Sequence, residues 1–178
     1  MIESIENRTE RERKMKLIVQ RVSQASVAVD GQCVGAVGAG YLVLVGCRFD
    51  DTPRDAEHLA AKLAALRVFE DEAGKMNRSI LQTGGGALLV SQFTLYADTR
   101  KGNRPGFELA GDPAKAKSIF ERFVEAVRTA LGPDKVATGV FGAEMRVALV
   151  NEGPVTLELC SDTQPWHGQS AAAMPAQS

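Results

Sequence analysis

The sequence predicts one mixed α/β domain, rich in antiparallel strands, with two main helices against the sheet. Its 178 residues suffice for one sizeable core but are too few for two comfortable domains. Short apolar runs between glycine turns are typical of strands, and Asp30-Gly31 is a strong hairpin signal because glycine adopts positive φ freely. Two longer segments place apolar residues at helical spacing.

Residues 17–47 are predicted mostly as strand, and the turn at Asp30-Gly31 separates two of these strands. The glycines at 35, 38 and 40 do not form a dinucleotide-binding fingerprint, because their order is G-x-x-G-x-G and a strand follows them instead of a helix. The predicted strands cover residues 17–22, 25–29, 32–37 and 41–47.

Each predicted helix opens with a capping residue followed by proline, at Thr52-Pro53 and Asp112-Pro113. Gly132-Pro133 ends the second helix, and His58 falls on the polar face of the first. The residues expected to face the core are Ala56, Leu59, Ala60, Leu63 and Leu66, and then Ala116, Ile119, Phe120, Phe123, Val124, Val127 and Leu131.

The remaining strands are short. Residues 80–81 and 87–92 are expected to pair around the glycine turn at 84–86. The other predicted strands cover residues 67–69, 135–137, 145–150 and 155–159.

Both ends of the chain are predicted to be disordered. Residues 1–14 are highly charged and residues 162–178 are rich in Ser, Gln, Ala and Pro, which leaves residues 15–161 as the domain. The first segment lacks the apolar core of a signal peptide, and the longest apolar stretch, residues 41–45, is too short to span a bilayer. We therefore expect a cytoplasmic protein without a membrane partner.

A formal net charge of −1 argues against a protein that coats nucleic acid indiscriminately, although it leaves room for a local basic patch. The three cysteines, Cys33, Cys47 and Cys160, are odd in number and far apart, so neither a disulfide framework nor a zinc site is indicated. We expect them to be small buried hydrophobic residues in a reducing compartment.

Polar side chains gather where the apolar run at residues 87–90 ends. Ser91, Gln92 and Thr94 are three hydrogen-bonding residues within four positions, with Phe93 between them. A strand end holds side chains rigidly yet leaves them open to solvent, which favours a functional site. The alternative is that Ser91 and Thr94 only cap the strand.

The long segment at residues 96–111 has no clear periodicity and carries Arg100, Lys101 and Arg104 against one early acid, Asp98. One interpretation is a charged loop that is simply solvated. The other is that the loop, because it follows a polar strand end, binds the phosphate backbone of a nucleic acid.

The available residue types exclude several mechanisms. One histidine, His58, is predicted on a helix surface and the other, His167, in the tail, so a Ser-His-Asp or Cys-His mechanism lacks its base. No cluster has the spacing of metal ligands, and no paired carboxylates are evident. An enzyme with only hydroxyls, amides and backbone groups suits an activated ester, for which geometry and oxyanion stabilisation suffice.

The stretch at residues 91–105, S-Q-F-T-L-Y-A-D-T-R-K-G-N-R-P, and the later G-P-V-T at 153–156 resemble, in order, the two signature motifs of the D-aminoacyl-tRNA deacylase family. The resemblance runs from Met15 to Leu159. It implies hydrolysis of D-aminoacyl-tRNA, and of glycine mischarged on tRNA(Ala), as proofreading in translation. It also implies a barrel-like sheet and a homodimer with its active site at the subunit interface, with no cofactor, no metal and no DNA partner.

The resemblance also assigns roles to residues. Ser91, Gln92, Phe93 and Thr94 would line the pocket for the 3′-terminal adenosine and its aminoacyl group, with backbone N–H groups nearby for the oxyanion. Without a base, the Thr94 hydroxyl is a weak nucleophile, so we favour positioning and attack by water.

A second element would come from the other subunit. The resemblance implies that Gly153-Pro154, with a cis peptide bond, enters the partner's site, where its carbonyls hold the substrate amino group and Arg21 orients the element. An L side chain would then meet protein backbone, so chirality would be decided by exclusion.

Two alternatives stay open. One is a related editing deacylase directed mainly at glycine or another mischarged amino acid. The other is a non-catalytic dimeric RNA-binding module that uses Arg100, Lys101 and Arg104; the presence of both Thr94 and Gly153-Pro154 favours the enzyme over this module.

Overall fold

The computed structural model describes residues 15–161; the predicted extensions at 1–14 and 162–178 lie outside the described residues. The strands are β1 Lys16–Val29, β2 Gln32–Val37, β3 Gly40–Gly46, β4 Arg67–Glu70, β5 Met76–Ser79, β6 Gly86–Ser91, β7 Val136–Thr138 and β8 Arg146–Cys160. The α-helices are α1 Pro53–Ala65, α2 Ile80–Thr83 and α3 Pro113–Leu131, and 3-10 helices cover Phe93–Tyr96 and Pro133–Lys135.

The main sheet confirms the predicted fold class, a mixed α/β domain with a nearly closed, barrel-like sheet. Its strand order is β2-β1-β3-β6-β7, and β8 pairs along the other edge of β1. The pairs that involve β1 are antiparallel, whereas β3–β6 and β6–β7 are parallel. Strands β4 and β5 form a separate antiparallel hairpin.

The hairpin between β1 and β2 is confirmed. Asp30 and Gly31 have φ values of 50° and 78°, which is the pair of positive values that a type I′ turn requires. The prediction of two separate strands before this turn was wrong, because β1 is continuous. Its first half pairs with β3 and its second half pairs with β2. The register of β1 with β8 shifts on either side of Val22, close to the polar residues that separate the two apolar runs.

The predicted pairing of residues 80–81 with 87–92 was also wrong. Ser79 and Gln82 form a capping box, in which the Ser79 amide donates to Gln82 Oε1 over 2.8 Å, and Ile80–Thr83 is therefore one helical turn. Strand β6 instead pairs in parallel with β3. The predicted strands at 145–150 and 155–159 are likewise one continuous strand, β8.

Both main helices are confirmed at their predicted starts. In α1 the Asp55 carboxylate accepts from the Thr52 amide over 2.8 Å, and in α3 the Asp112 carboxylate accepts from the Ala114 amide over 3.0 Å. The apolar faces of the two helices pack against one side of the sheet around Leu59, Leu63 and Phe123. His58 is half-buried and not fully exposed as its polar face suggested.

A second apolar cluster lies on the opposite side of the same strands, because successive strand side chains point to opposite faces. Tyr41 and Val43 of β3 belong to the helix-covered cluster, while Leu42 between them packs with Val27 and Leu88. The strands therefore have apolar side chains on both faces, and the polar residues begin where β6 ends.

The cysteine prediction held for one residue. Cys47 is buried, and burial raises the pKa of its thiol to about 12. Cys33 is exposed and Cys160 is half-buried, since they lie on β2 and at the end of β8, at the margins of the sheet. Within residues 15–161, no helix has the length and apolar character needed to cross a membrane.

Candidate active site

The first group of predicted site residues lies where β6 ends. Ser91 is the last residue of the strand and pairs with Val45 of β3, and the Gln92 amide donates to the Val45 carbonyl over 2.8 Å. The chain then turns into the 3-10 helix Phe93–Tyr96, which the buried Tyr96 anchors against the core. The parallel β3–β6 pair therefore holds the segment rigidly at its carboxyl end.

The side chains of this segment are open to solvent and linked to each other. Thr94 is exposed, Phe93 is 58% exposed, and Ser91 and Gln92 are half-buried. Gln92 Nε2 donates to Thr94 Oγ1, and no side chain caps the 3-10 helix. The Thr94 hydroxyl is therefore held in place by an amide and is not used as a cap, which favours the functional interpretation over the capping one.

A cleft of about 130 Å³ adjoins this segment. It is lined by Lys16, Leu109 and residues 95–100. Burial raises the pKa of Tyr96, so its hydroxyl keeps its proton and offers no base to the cleft. By itself the cleft is smaller than the roughly 300–1,000 Å³ of typical small-molecule sites.

The predicted basic loop is closed at its base by two backbone hydrogen bonds. The Asp98 amide donates to the Gly106 carbonyl over 2.7 Å, and the Gly106 amide donates back over 2.9 Å. Arg100 Nε donates to Asp98 over 2.9 Å, and this hydrogen bond lowers the pKa of the Asp98 carboxyl. Lys101 and Arg104 are exposed, and within the described chain neither forms an ion pair.

The second group lies on β8, where the strand bulges away from β1. Register runs from Thr156, paired with Gln20, directly to Asn151, paired with Val22, so residues 152–155 lie opposite Arg21 alone. Asn151 spans the base of this bulge: its Oδ1 accepts from the Val155 amide over 3.1 Å and its Nδ2 donates to Thr156 Oγ1 over 3.0 Å.

Gly153 and Pro154, at the tip of this bulge, are both exposed. The peptide bond between them is cis, as predicted. Gly153 has a φ of 129°, a conformation that other residue types rarely adopt.

Arg21 lies directly beneath the bulge and is only 8% exposed. Its Nε donates to the Glu152 carbonyl over 3.0 Å, and its Nη1 donates to the Val68 carbonyl over 2.6 Å. A longer ion pair joins Arg21 Nη2 to Glu70 Oε1 at 3.7 Å. Arg21 thus ties the bulge of β8 to strand β4, and the guanidinium is a buried support and not a surface group.

The structure assembles two groups within one chain. One contains Ser91, Gln92, Phe93 and Thr94, and the other contains Arg21 with Gly153 and Pro154. In the described part of the chain, no hydrogen bond or ion pair joins the two groups. Residues 15–161 also contain no group of three or more His, Cys, Asp or Glu side chains that could hold a metal ion.

Two features of the site escaped sequence reasoning. The carbonyl partners of Arg21 carry no sequence signal, because any residue supplies a carbonyl. Phe107 was also missed; its ring lies 5.0 Å from that of Phe93, measured between centroids, with the planes at 65°. A large aromatic residue in an otherwise polar loop is the signal that could have identified it.

The chain matches the protein family described as D-Tyr-tRNA(Tyr) deacylase over residues 18–160. A D-aminoacyl-tRNA deacylase of Opitutus terrae is 56% identical over 147 residues, which are 83% of this chain and 97% of that protein. One of Thermomicrobium roseum is 59% identical over 147 residues, covering 83% of this chain and 94% of that protein.

Two solved structures share the fold. The structure titled c-Myc DNA Unwinding Element Binding Protein is 44% identical, with a TM-score of 0.78 over 82% of this chain and 98% of that one. A probable eukaryotic D-amino acid tRNA deacylase superposes with a TM-score of 0.75 at 19% identity, covering 83% of this chain and all of that one, and this second match concerns the fold alone.

Proposed function

Because the chain belongs to the D-Tyr-tRNA(Tyr) deacylase family, we infer that it hydrolyses the ester bond of D-aminoacyl-tRNA, releasing free tRNA and the D-amino acid. This activity is proofreading of chirality in translation. The observation that carries the inference is an identity above 50% with D-aminoacyl-tRNA deacylases across nearly their whole length. The family match at residues 18–160 includes both groups of site residues.

The chemistry follows from what the first group contains. An aminoacyl ester is already activated, so correct placement and stabilisation of the oxyanion can accelerate its hydrolysis without a strong base. The carboxylate nearest in sequence, Asp98, has a lowered pKa and is bound to Arg100, which makes it a poor base. Water attacks the ester carbonyl and loses its proton to solvent, and the bond between the carbonyl carbon and the ribose oxygen breaks. Gln92 and Thr94 position the ester, and backbone amides of the same segment receive the developing negative charge.

Replacing Thr94 with alanine tests both the activity and this role. A hydrogen bond between neutral groups contributes about 0.5–1.5 kcal/mol, so we expect kcat on D-tyrosyl-tRNA to fall by up to about tenfold and to remain well above spontaneous hydrolysis. The measurement is release of labelled D-tyrosine under single-turnover conditions. Thr94→Ser should restore the rate, and Thr129→Ala, at an exposed threonine of α3, should not change it.

Two outcomes would oppose this assignment. If the unaltered protein fails to exceed the spontaneous rate, the deacylase activity itself is wrong. If Thr94→Ala binds tRNA normally but loses all activity, Thr94 is a covalent nucleophile and not a positioning residue.

We propose that the second group completes the site of another subunit in a homodimer. Three observations support this. Gly153 and Pro154 are exposed at the bulge of β8, and the cleft beside the first group is small for a nucleoside and its amino acid. Strand β8, paired only with β1 within residues 15–161, presents a long edge that carries exposed Val147 and Val150, and such edges favour association with another chain.

In this arrangement the carbonyls of Gly153 and Pro154 accept hydrogen bonds from the ammonium group of the substrate. Arg21 donates a hydrogen bond to the carbonyl of Glu152, the residue before Gly153, and so keeps the bulge in place relative to β1. With ester and ammonium both fixed, an L side chain is directed into backbone and a D side chain into solvent. Discrimination then depends on a clash and not on a fitted pocket.

The basic loop and the smallest amino acid are part of the same proposal. Arg100, Lys101 and Arg104 contact the phosphates of the tRNA, since a basic loop beside the site is where the backbone of the acceptor strand passes. Glycine carries no side chain to be excluded, so glycine mischarged on tRNA(Ala) is a second substrate.

A further inference from the structure

Two exposed aromatic rings lie next to the reacting segment. Phe93 is 58% exposed and Phe107 is 38% exposed, and their rings meet edge to face at 5.0 Å between centroids. Such rings cost free energy in water unless a ligand covers them. Phe93 directly precedes Thr94 in the chain, so anything that covers the pair lies beside the ester.

The loop beside this pair is more basic than acidic: it has three cations against two carboxylates, Asp98, which is bound to Arg100, and the exposed Glu108. Phe107 follows Gly106, at the point where the backbone bridge between Asp98 and Gly106 closes the basic loop. That loop presents Lys101 and Arg104, which are exposed and form no ion pair in the described part of the chain. A stacking surface together with cations is the combination that single-stranded nucleic acid uses, because bases stack on the rings while phosphates meet the cations.

Resting on the proposed function, we propose that Phe107, with Phe93 as its support, stacks an unpaired base next to the terminal adenosine of the tRNA. Lys101 and Arg104 bind the phosphates of the same nucleotides. The site thereby recognises the single-stranded 3′ end of the tRNA, and not only the aminoacyl-adenosine at its tip. Phe107 is a substrate-positioning residue that lies outside both signature motifs.

A second subunit is the competing occupant of this surface. Charged residues are depleted in the centre of protein–protein interfaces, whereas here two exposed cations lie in the loop closed beside the ring pair. The charge therefore favours RNA, and the oligomeric state of the variants provides the check.

The test compares two substrates that differ only in the nucleotides the proposal concerns. D-tyrosyl-tRNA carries the single-stranded end, and the D-tyrosyl ester of adenosine does not. For Phe107→Ala we expect KM for the tRNA to rise about tenfold with kcat little changed, and kcat/KM for the short ester to be unaltered. Phe107→Tyr should restore KM, and Leu81→Ala, which removes an exposed apolar side chain on α2, should have no effect on either substrate.

A binding measurement makes the result independent of activity. Uncharged tRNA with 2-aminopurine next to the terminal adenosine should lose fluorescence on binding the unaltered protein, and should lose much less with Phe107→Ala. Lys101→Ala with Arg104→Ala should reduce the salt dependence of binding, by about one unit of slope for each residue.

Other results would overturn the proposal. Equal losses on both substrates would mean that Phe107 supports the reacting segment only, and no loss on either would mean that it touches no nucleotide. Dissociation of an oligomer by Phe107→Ala in analytical ultracentrifugation would assign the surface to a subunit contact. Failure of the proposed function is distinct, because the unaltered protein would then hydrolyse neither ester while the fluorescence measurement still reports on stacking.

Discussion

Gly153→Ala is expected to reduce D-aminoacyl-tRNA hydrolysis by about a hundredfold or more, because small misplacements of a positioning group have effects of this size. The backbone of Gly153 has a φ of 129°, where an L side chain is strained. A Cβ there would lie 2.9 Å from Val155 Cγ2 and 3.0 Å from Arg21 Nη2, so the bulge must shift. The carbonyls that hold the ammonium group would move with it.

The matched control is Gly38→Ala. A Cβ at Gly38 meets nothing within 4 Å, and its backbone is not in the strained region, so activity should be unchanged. Rates are measured by deacylation of D-tyrosyl-tRNA after thermal unfolding has shown that both variants are folded at the assay temperature. A Gly153→Ala protein with unaltered rate would remove the bulge from the proposed site.

Arg21→Met should lower both stability and activity. The guanidinium donates to the Val68 and Glu152 carbonyls from a position that is almost fully buried. Each hydrogen bond from a charged group contributes about 1.5–3 kcal/mol, so loss of both should reduce the free energy of unfolding by about 3–6 kcal/mol. The bulge then loses its support, and kcat/KM for D-aminoacyl-tRNA should fall with it.

Two further variants separate these effects. Arg67→Met removes another arginine that donates to a backbone carbonyl, that of Asn77 over 2.7 Å, but at an exposed position, and should change stability by about 0.5 kcal/mol or less. Arg21→Lys keeps the charge without the planar fork that reaches both carbonyls, so it should be intermediate. Urea unfolding and deacylation together give the result, and normal stability with normal activity in Arg21→Met would contradict the support role.

Local signals made most of the elements predictable. The starts of α1 and α3 followed from capping residues before proline, and the β1–β2 hairpin followed from Asp30-Gly31, because these signals act between near neighbours. The partner of β6 was not predictable in this way. An apolar run indicates a buried strand but does not indicate whether that strand pairs with a preceding segment or, as here, in parallel with β3.

The same contrast applies to the site. The polar end of β6 is a local pattern that the sequence shows directly, and in the structure Gln92 donates to Thr94 at this end. The burial of Arg21 depends on carbonyls 47 and 131 positions away in the sequence, and no side-chain pattern encodes such partners. The contact between Phe107 and Phe93 was equally unpredictable, because the backbone hydrogen bonds between Asp98 and Gly106 that close the loop have no side-chain signal.

We propose that the site selects D-amino acids and glycine by excluding the L side chain. Deacylation of D-tyrosyl-, L-tyrosyl- and glycyl-tRNA, compared side by side at low enzyme concentration, tests it most directly. We expect the D-tyrosyl and glycyl esters to be hydrolysed and the L-tyrosyl ester to decay at its spontaneous rate. Comparable enzymatic rates on D- and L-tyrosyl-tRNA would contradict the account.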